Sequence, residues 1–186
     1  MADFKTRVDA LTGLTSGTDY TTAELIEYLK DGVLEVTNRI VELKPQEASK
    51  FLRVTSELTS NGHDINGAHI LSVVREDGTV NSWRECREVP PGKQARVVDI
   101  NSLDYASKYH PVFIKWDNGS IAVYPAPTSS PDRYKIFYVN NVPTFSGGGT
   151  TDACDVITYF PDDKVYLVML YSSIKCLSNA LAAIDI

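Results

Sequence analysis

The sequence has few cysteines and no sign of a secreted or membrane-bound protein. Its three cysteines, Cys86, Cys154 and Cys176, are widely spaced and form no CxxC pair, so we expect neither a disulfide framework nor a compact zinc site. The N-terminal residues are of mixed polarity, and no run approaches the roughly 18 apolar residues of a membrane span. We therefore expect a soluble protein with reduced thiols, made in a cytoplasm and without a membrane partner.

The chain also lacks an excess of positive charge. Its 18 basic and 24 acidic side chains give a formal net charge of −6 over 186 residues. We therefore do not expect the whole protein to bind DNA or an anionic membrane electrostatically. Hydrophobic residues make up 43% and charged residues 23%, which excludes a disordered tail, a collagen-like chain and a coiled-coil rod.

Catalytic motifs are missing as well. There is no GxSxG, Walker or GxGxxG pattern, and no cysteine lies near a histidine in sequence. His63, Asp64 and His69 lack zinc-site spacing and lie among turn residues, so we interpret them as loop residues. Asp162 and Asp163 are interpreted as acids at the start of a helix. We predict that the protein is not an enzyme and holds no metal and no cofactor.

The sequence does contain the patterns of long amphipathic helices. Thr21 and Glu24 form a capping-box pattern, and the apolar period behind them predicts a helix over about 22–43. Gly32 in its middle indicates close approach of another backbone or, alternatively, a break between two shorter helices. A short helix over 3–11 precedes it.

A second long helix is predicted over 161–184. It is apolar on more than one face, so we expect it to be buried by its own domain and by a neighbour. We expect the two long helices to pack antiparallel as one core. The main apolar stripe of the second long helix consists of Leu167, Leu170, Ile174, Leu177, Leu181 and Ile184.

Between the long helices the apolar residues follow a strand period. The best hairpin joins 112–116 to 121–124 across an Asp-Asn-Gly turn. We therefore predict an α+β fold, with a helical core from 1–50 and 152–186 and a β-rich insertion over 51–151. Within that insertion, Ser146 and the glycines after it predict a mobile loop at a subunit or tail contact. Those glycines are Gly147, Gly148 and Gly149.

Two groups of side chains in the β-rich region have open interpretations. A basic group near Trp83 either touches an acidic partner or forms a solvated face. Four aromatic residues on strands either form a sugar-binding platform or belong to the sheet core. The basic group is Arg84, Arg87, Lys93 and Arg96, and the aromatic group is Tyr124, Tyr134, Phe137 and Tyr138.

Several motifs follow one another in an order known from one family. The segment 22–45 contains TAELIEYLKDG followed by IVELKP, and 70–77 contains an ILRVVR-like strand. The hairpin after His110-Pro111 ends in the YPAP of 124–127, and YKIFY at 134–138 provides the next strand. The closing helix spans about 155–179. This colinear set, covering about 20–182, resembles the head-to-tail adaptor (connector) proteins of tailed bacteriophages.

The resemblance implies a structural virion protein at the head-tail junction. Such a protein forms a ring, commonly a dodecamer, beneath the portal protein. The ring extends the DNA channel and provides the docking platform for a tail or nozzle protein. Genome DNA passes through it without specific binding. The protein is then synthesised in the cytoplasm of the bacterial host, and it needs no cofactor. The alternative is a small β-rich carbohydrate- or ligand-binding module of a tail or surface structure.

The resemblance also assigns roles to two sets of residues. The closing helix keeps its apolar period to the last turn, and its end is expected to dock onto the portal. Acids on or near one face of the first long helix are expected to line the channel, or alternatively to form a solvated face. The docking residues are Leu181, Ile184 and Ile186, and the acids are Asp31, Glu35 and Glu42.

Overall fold

The computed structural model describes residues 3–117, 119–139, 143–146 and 154–184. The fold is α+β, as predicted: a short and a long helix come first, β-sheets follow, and a second long helix closes the chain. The two long helices pack together, with the sheets inserted between them in sequence. The chain divides into two compact units, one formed by Met1–Phe51 with Val142–Ile186 and the other by Leu52–Asn141.

The helices and strands are numbered in chain order. The α-helices are α1 (Phe4–Thr12), α2 (Thr22–Leu43), α3 (Gln94–Val98) and α4 (Val165–Ile184). The first five strands are β1 (Leu52–Val54), β2 (His63–Asp64), β3 (Ile70–Glu76), β4 (Trp83–Glu85) and β5 (Arg87–Glu88). The others are β6 (Val112–Lys115), β7 (Ser120–Tyr124), β8 (Tyr134–Val139), β9 (Thr144–Ser146) and β10 (Val156–Thr158). Short 3-10 helices lie at Pro45–Phe51, Pro91–Lys93 and Asp162–Lys164.

The helix α2 begins at the predicted capping box. The Thr21 side chain accepts a hydrogen bond from the Glu24 amide, and the Glu24 carboxylate accepts one from the Thr21 amide at 2.7 Å. These bonds from Thr21 lower the pKa of Glu24. The helix then runs unbroken through Gly32 to Leu43, so the alternative of two shorter helices is wrong.

Gly32 lies where α2 packs closely against α4. A Cβ atom placed on Gly32 would lie 3.2 Å from Val168 Cγ1 and 3.4 Å from the Val168 carbonyl oxygen. Further along, Asn179 donates a hydrogen bond to Glu24 at 3.2 Å. The start of α2 thus meets the end of α4, which makes the pair antiparallel as predicted.

The face of α4 that enters this core differs from the predicted main stripe. The buried side chains on α4 are Val165, Val168, Met169, Ser172, Ser173 and Cys176. On α2 they meet a face that includes Leu25, Leu29 and Val33. The larger apolar residues of the predicted stripe lie mainly on the opposite, exposed side of α4. Both sides of the helix are apolar, so its period alone does not identify the core side.

The β unit contains two four-stranded sheets. The first has the order β1-β8-β3-β4 and is antiparallel throughout. The second has the order β2-β7-β6-β5, in which only β5 and β6 run parallel. The predicted hairpin is present as β6–β7, with Val112 opposite Tyr124. The helical unit adds the antiparallel pair β9–β10.

One core joins the two sheets of the β unit. It contains Val73 and Ile136 from the first sheet, and Phe113, Ile121 and Val123 from the second. A second apolar cluster lies around Val89, Val97, Val112 and Ile114, so β6 and its hairpin contribute to both clusters. Side chains that alternate along a strand point to opposite faces, which explains why Val112 and Phe113 enter different clusters.

Candidate functional site

The helical unit carries an uncovered apolar surface along α4. Four residues of the predicted main stripe are exposed: Leu167 (43%), Ile174 (61%), Leu177 (38%) and Leu181 (63%). Tyr166 beside them is exposed to 56%. Large exposed apolar patches in soluble proteins mark interaction sites, so we call this surface the outer face of α4 and treat it as the candidate site.

The outer face of α4 is nearly free of charge. Lys175 is the single charged residue between Val165 and Ile184. Its ammonium lies 5.4 Å from the centre of the Tyr171 ring, a cation–π distance. The solvent side of a helix in a soluble protein normally carries several charged residues. The composition of this helix therefore favours a protein or lipid surface over water as the neighbour of its outer face.

By length and hydropathy, one helical stretch of the described residues could cross a membrane. It is Asp162–Ala183, with a mean hydropathy of 1.3. A third of its apolar window is buried within the chain, and core helices of soluble proteins satisfy the same two criteria. The criteria do not separate the two cases, and the absence of a membrane partner stays a prediction.

The predicted portal-docking residues are described only in part. Leu181 lies on the outer face of α4 and is exposed, as docking requires. The side chain of Ile184 and the whole of Ile186 lie outside the described residues. Ser146 is the last residue of β9, where it pairs with Val156, so this first residue of the predicted loop belongs to a strand. Gly147, Gly148 and Gly149 lie outside the described residues.

The predicted channel-lining acids are exposed on α2. Glu35 accepts a bond from Arg39 at 3.0 Å, and Glu42 lies 3.7 Å from the same guanidinium. Asp31 is exposed on the same helix. Because Arg39 neutralises part of this charge, the face is a mixed surface rather than a purely acidic one.

The basic group of the β unit is paired within its own unit. Arg84 donates to Asp77 at 3.0 Å and lies over the Tyr109 ring. Asp104 accepts from Lys93 at 3.2 Å and lies 3.8 Å from Arg87. Three of the four cations therefore lie within ion-pair distance of an acid of the same unit, two of them sharing Asp104.

The predicted aromatic platform belongs mostly to the sheet core. Tyr134 is fully buried and donates to the Ser60 carbonyl, and Tyr138 packs against the core shared by the two sheets. Two other tyrosines, Tyr105 and Tyr109, are exposed beside a cavity of about 380 Å³. The cavity is lined by Glu85, Arg87, Leu103, Tyr105, Tyr109, His110 and Pro111.

Metal-ligating side chains form no cluster within the described part of the chain. Among the residues that the structure describes, no three His, Cys, Asp or Glu side chains are placed to hold a metal ion. Asp64 instead accepts the Asn66 amide at 2.7 Å, a turn contact. Burial raises the pKa of the Cys86 thiol to about 12 and that of Cys176 to about 11, so both are protonated and unreactive.

Sequence reasoning missed a buried charge network in the β unit. Glu76 is fully buried and accepts two bonds from the Arg133 guanidinium, at 2.6 and 3.0 Å. Arg75 is also buried and donates to Asp132 at 2.9 Å and to the Pro125 carbonyl at 2.9 Å. The signal that could have revealed it is the Arg-Glu-Asp run at 75–77, which ends the otherwise apolar strand β3.

Comparison of the chain with protein-family models and with curated proteins finds no match to either.

Proposed function

We propose that this protein is a head-to-tail adaptor of a tailed bacteriophage, a structural component that joins the portal to the tail. The observation that carries the proposal is the outer face of α4, a long apolar surface that a single copy leaves uncovered. A protein with such a face functions by assembly with other proteins. Its motif order along the chain resembles that of the adaptor family.

Two further features support an assembly role. The antiparallel helices α2 and α4 pack together, and the end of α4 leaves Leu181 exposed to a partner. The proposed ring also requires a channel through which DNA slides. A net charge of −6 and the mixed surface around Arg39 avoid the strong cationic lining that would hold phosphates.

The C-terminal end of α4 is the proposed portal-docking element. Removing residues 181–186 should abolish attachment to the portal ring of the same phage. The described core residues of α4 lie at or before Cys176, so the truncated chain should keep its circular dichroism spectrum and cooperative unfolding. Attachment is measured by co-sedimentation of the purified chain with purified portal rings.

A matched control uses another exposed apolar side chain. Leu43 at the end of α2 is 75% exposed, and Leu43→Ser should leave portal attachment unchanged. If the truncated chain is folded and still attaches, docking through this end is wrong. If Leu43→Ser abolishes attachment equally, the contact is not specific to α4.

A second candidate function follows from the cavity beside Tyr105 and Tyr109. Exposed tyrosine rings next to Glu85 and Arg87 provide the stacking and hydrogen-bonding groups that bind sugars. A carbohydrate-binding module would bind members of a glycan array, and Tyr109→Ala would abolish that binding. The adaptor proposal expects no glycan binding.

A further inference from the structure

The apolar strip on the outer face of α4, which we call the seam, has the spacing that another helix needs to pack against it. Its apolar residues recur at alternating spacings of three and four, from Leu167 through Leu170, Ile174 and Leu177 to Leu181. This spacing lets a second helix pack lengthwise at a small crossing angle. The opposite side of α4 is already in contact with α1 and α2. A single strip is therefore open, which suits one helix better than a surrounding bilayer.

The seam of one copy is complementary to the seam of a second copy in antiparallel orientation. When a second α4 is placed antiparallel, Ile174 lies opposite Leu177 of the other copy, and Leu170 lies opposite Leu181. Every apolar position then meets another apolar position, which is the requirement for a two-fold interface. Lys175 is the single charged residue from Val165 to Ile184, and its ammonium lies over the Tyr171 ring, so no charge stands at these facing positions. We infer that two copies of this chain pair antiparallel through the outer faces of α4.

The size of the face defines the strength of this dimer. Exposed patches of this kind cover roughly 300–600 Å², so the pair removes roughly 600–1,200 Å² from water. That is the low end of specific interfaces, where complexes are weak and reversible. The inference goes beyond the proposed function, because subunits of a ring meet head to tail whereas this contact is two-fold.

Cysteine cross-linking tests the antiparallel register. The three native cysteines are buried, so an introduced thiol on the outer face reacts selectively. A mixture of the variants Leu170→Cys and Leu181→Cys should form a covalent dimer under mild oxidation. Each variant alone should not, because equivalent residues lie about 16 Å apart along the antiparallel pair, beyond disulfide reach. Cross-linking of each variant with itself would indicate a parallel pair and overturn the inference.

Sedimentation velocity tests the dimer itself. Over about 1–100 µM the wild type should change from monomer to dimer, and Ile174→Glu should weaken pairing at least tenfold by burying two carboxylates at the seam. The control Leu43→Glu, on α2, should pair like the wild type. A wild type that stays monomeric throughout, or that floats with phosphatidylcholine vesicles without pairing, overturns the inference. Portal attachment is measured separately, so either proposal can fail alone.

Discussion

Glu76 is a buried carboxylate whose charge is stabilised by its neighbours. The Arg133 guanidinium lowers the pKa of Glu76 to about 2, and the amides of Asn81 and Arg133 contribute further bonds at 3.1 Å. Glu76→Gln should lower the free energy of unfolding by about 2–4 kcal/mol at pH 7, because it leaves buried donors without their anion. Urea denaturation measures this change.

The pH dependence of that loss identifies its cause. A carboxyl with a lowered folded-state pKa stabilises the fold above its ordinary pKa, and this contribution disappears as the pH falls through about 2. The difference between wild type and Glu76→Gln should therefore be constant from about pH 8 to 6 and shrink below about pH 5. Glu57→Gln is the control: it touches the same Arg133 but is one-third exposed, so its loss should be smaller. A pH-independent difference would contradict the account.

Ser173 is a buried residue with an unsatisfied hydroxyl. It is 5% exposed, and its Oγ has no hydrogen-bond partner within the described part of the chain. Ser173→Ala should raise the free energy of unfolding by about 0.5–1 kcal/mol, through better helix propensity and removal of the unpaired group. Thermal melting measures the gain. The control Ser172→Ala loses a bond to the Val168 carbonyl at 3.0 Å and should gain less. A loss of stability in Ser173→Ala would show that its hydroxyl has a partner.

Residue-scale features of this kind could be predicted only where they are local. The Thr21–Glu24 capping box spans four consecutive residues and can be predicted from the sequence. Glu76 and Arg133 are 57 residues apart, and only the pairing of β3 with β8 brings them together. The Arg-Glu-Asp run at 75–77 indicates charge at the end of an apolar strand, but no local pattern identifies Arg133 as its partner, so the network was missed.

At the scale of elements, Gly32 controls how closely α2 and α4 pack. A Cβ there would lie 3.1 Å from Tyr171 Cδ1 and 3.2 Å from Val168 Cγ1, both side-chain atoms. Gly32→Ala should change stability by less than about 1 kcal/mol, because the gain in helix propensity offsets the crowding. Gly32→Val should cost about 1–3 kcal/mol by overpacking. Asn38→Val, on the exposed side of α2, is the control, and chemical denaturation is the measurement. If Gly32→Val and Asn38→Val changed the free energy of unfolding equally, close packing at Gly32 would be contradicted.

The two faces of α4 should respond differently to truncation. Met169 is fully buried, and Met169→Ala should cost about 2–5 kcal/mol. Ile174 is 61% exposed, and Ile174→Ala should cost less than about 1 kcal/mol when unfolding is measured at concentrations where the protein is monomeric. Leu170 is half-buried, and the loss of stability in Leu170→Ala should lie between these two values. A larger loss at Ile174 than at Met169 would place the core on the opposite side of the helix.

The existence of both long helices could be predicted from their period, but the core face of α4 could not. The stripe of Leu and Ile residues on α4 is more hydrophobic than the stripe that contains Ser172 and Cys176. The sequence alone therefore predicts the Leu/Ile stripe as the main one. The structure buries the less hydrophobic stripe instead, and α2 approaches it at Gly32, where Val168 is the nearest residue of that stripe. The larger stripe then stays largely exposed on the single chain.

At the scale of the whole molecule, the proposed dimer and the proposed portal contact share Leu181. The antiparallel pair covers this residue, and portal docking uses the same end of α4. The two states therefore exclude each other, and the free dimer must open before the chain joins a ring. If both proposals hold, the chain assembles on the portal and not before it. Neither the partner nor the ring can be derived from the motifs of one chain, since both depend on surfaces of other molecules.

Electron microscopy of the mixture with portal tests the adaptor proposal most directly. Purified chain is added in excess to portal rings from the same genome, and negatively stained particles are averaged. The account predicts an additional ring beneath the portal, with an open central channel and one copy per portal subunit or close to it. Portal rings that stay bare, while the added chain is folded by circular dichroism, would contradict it.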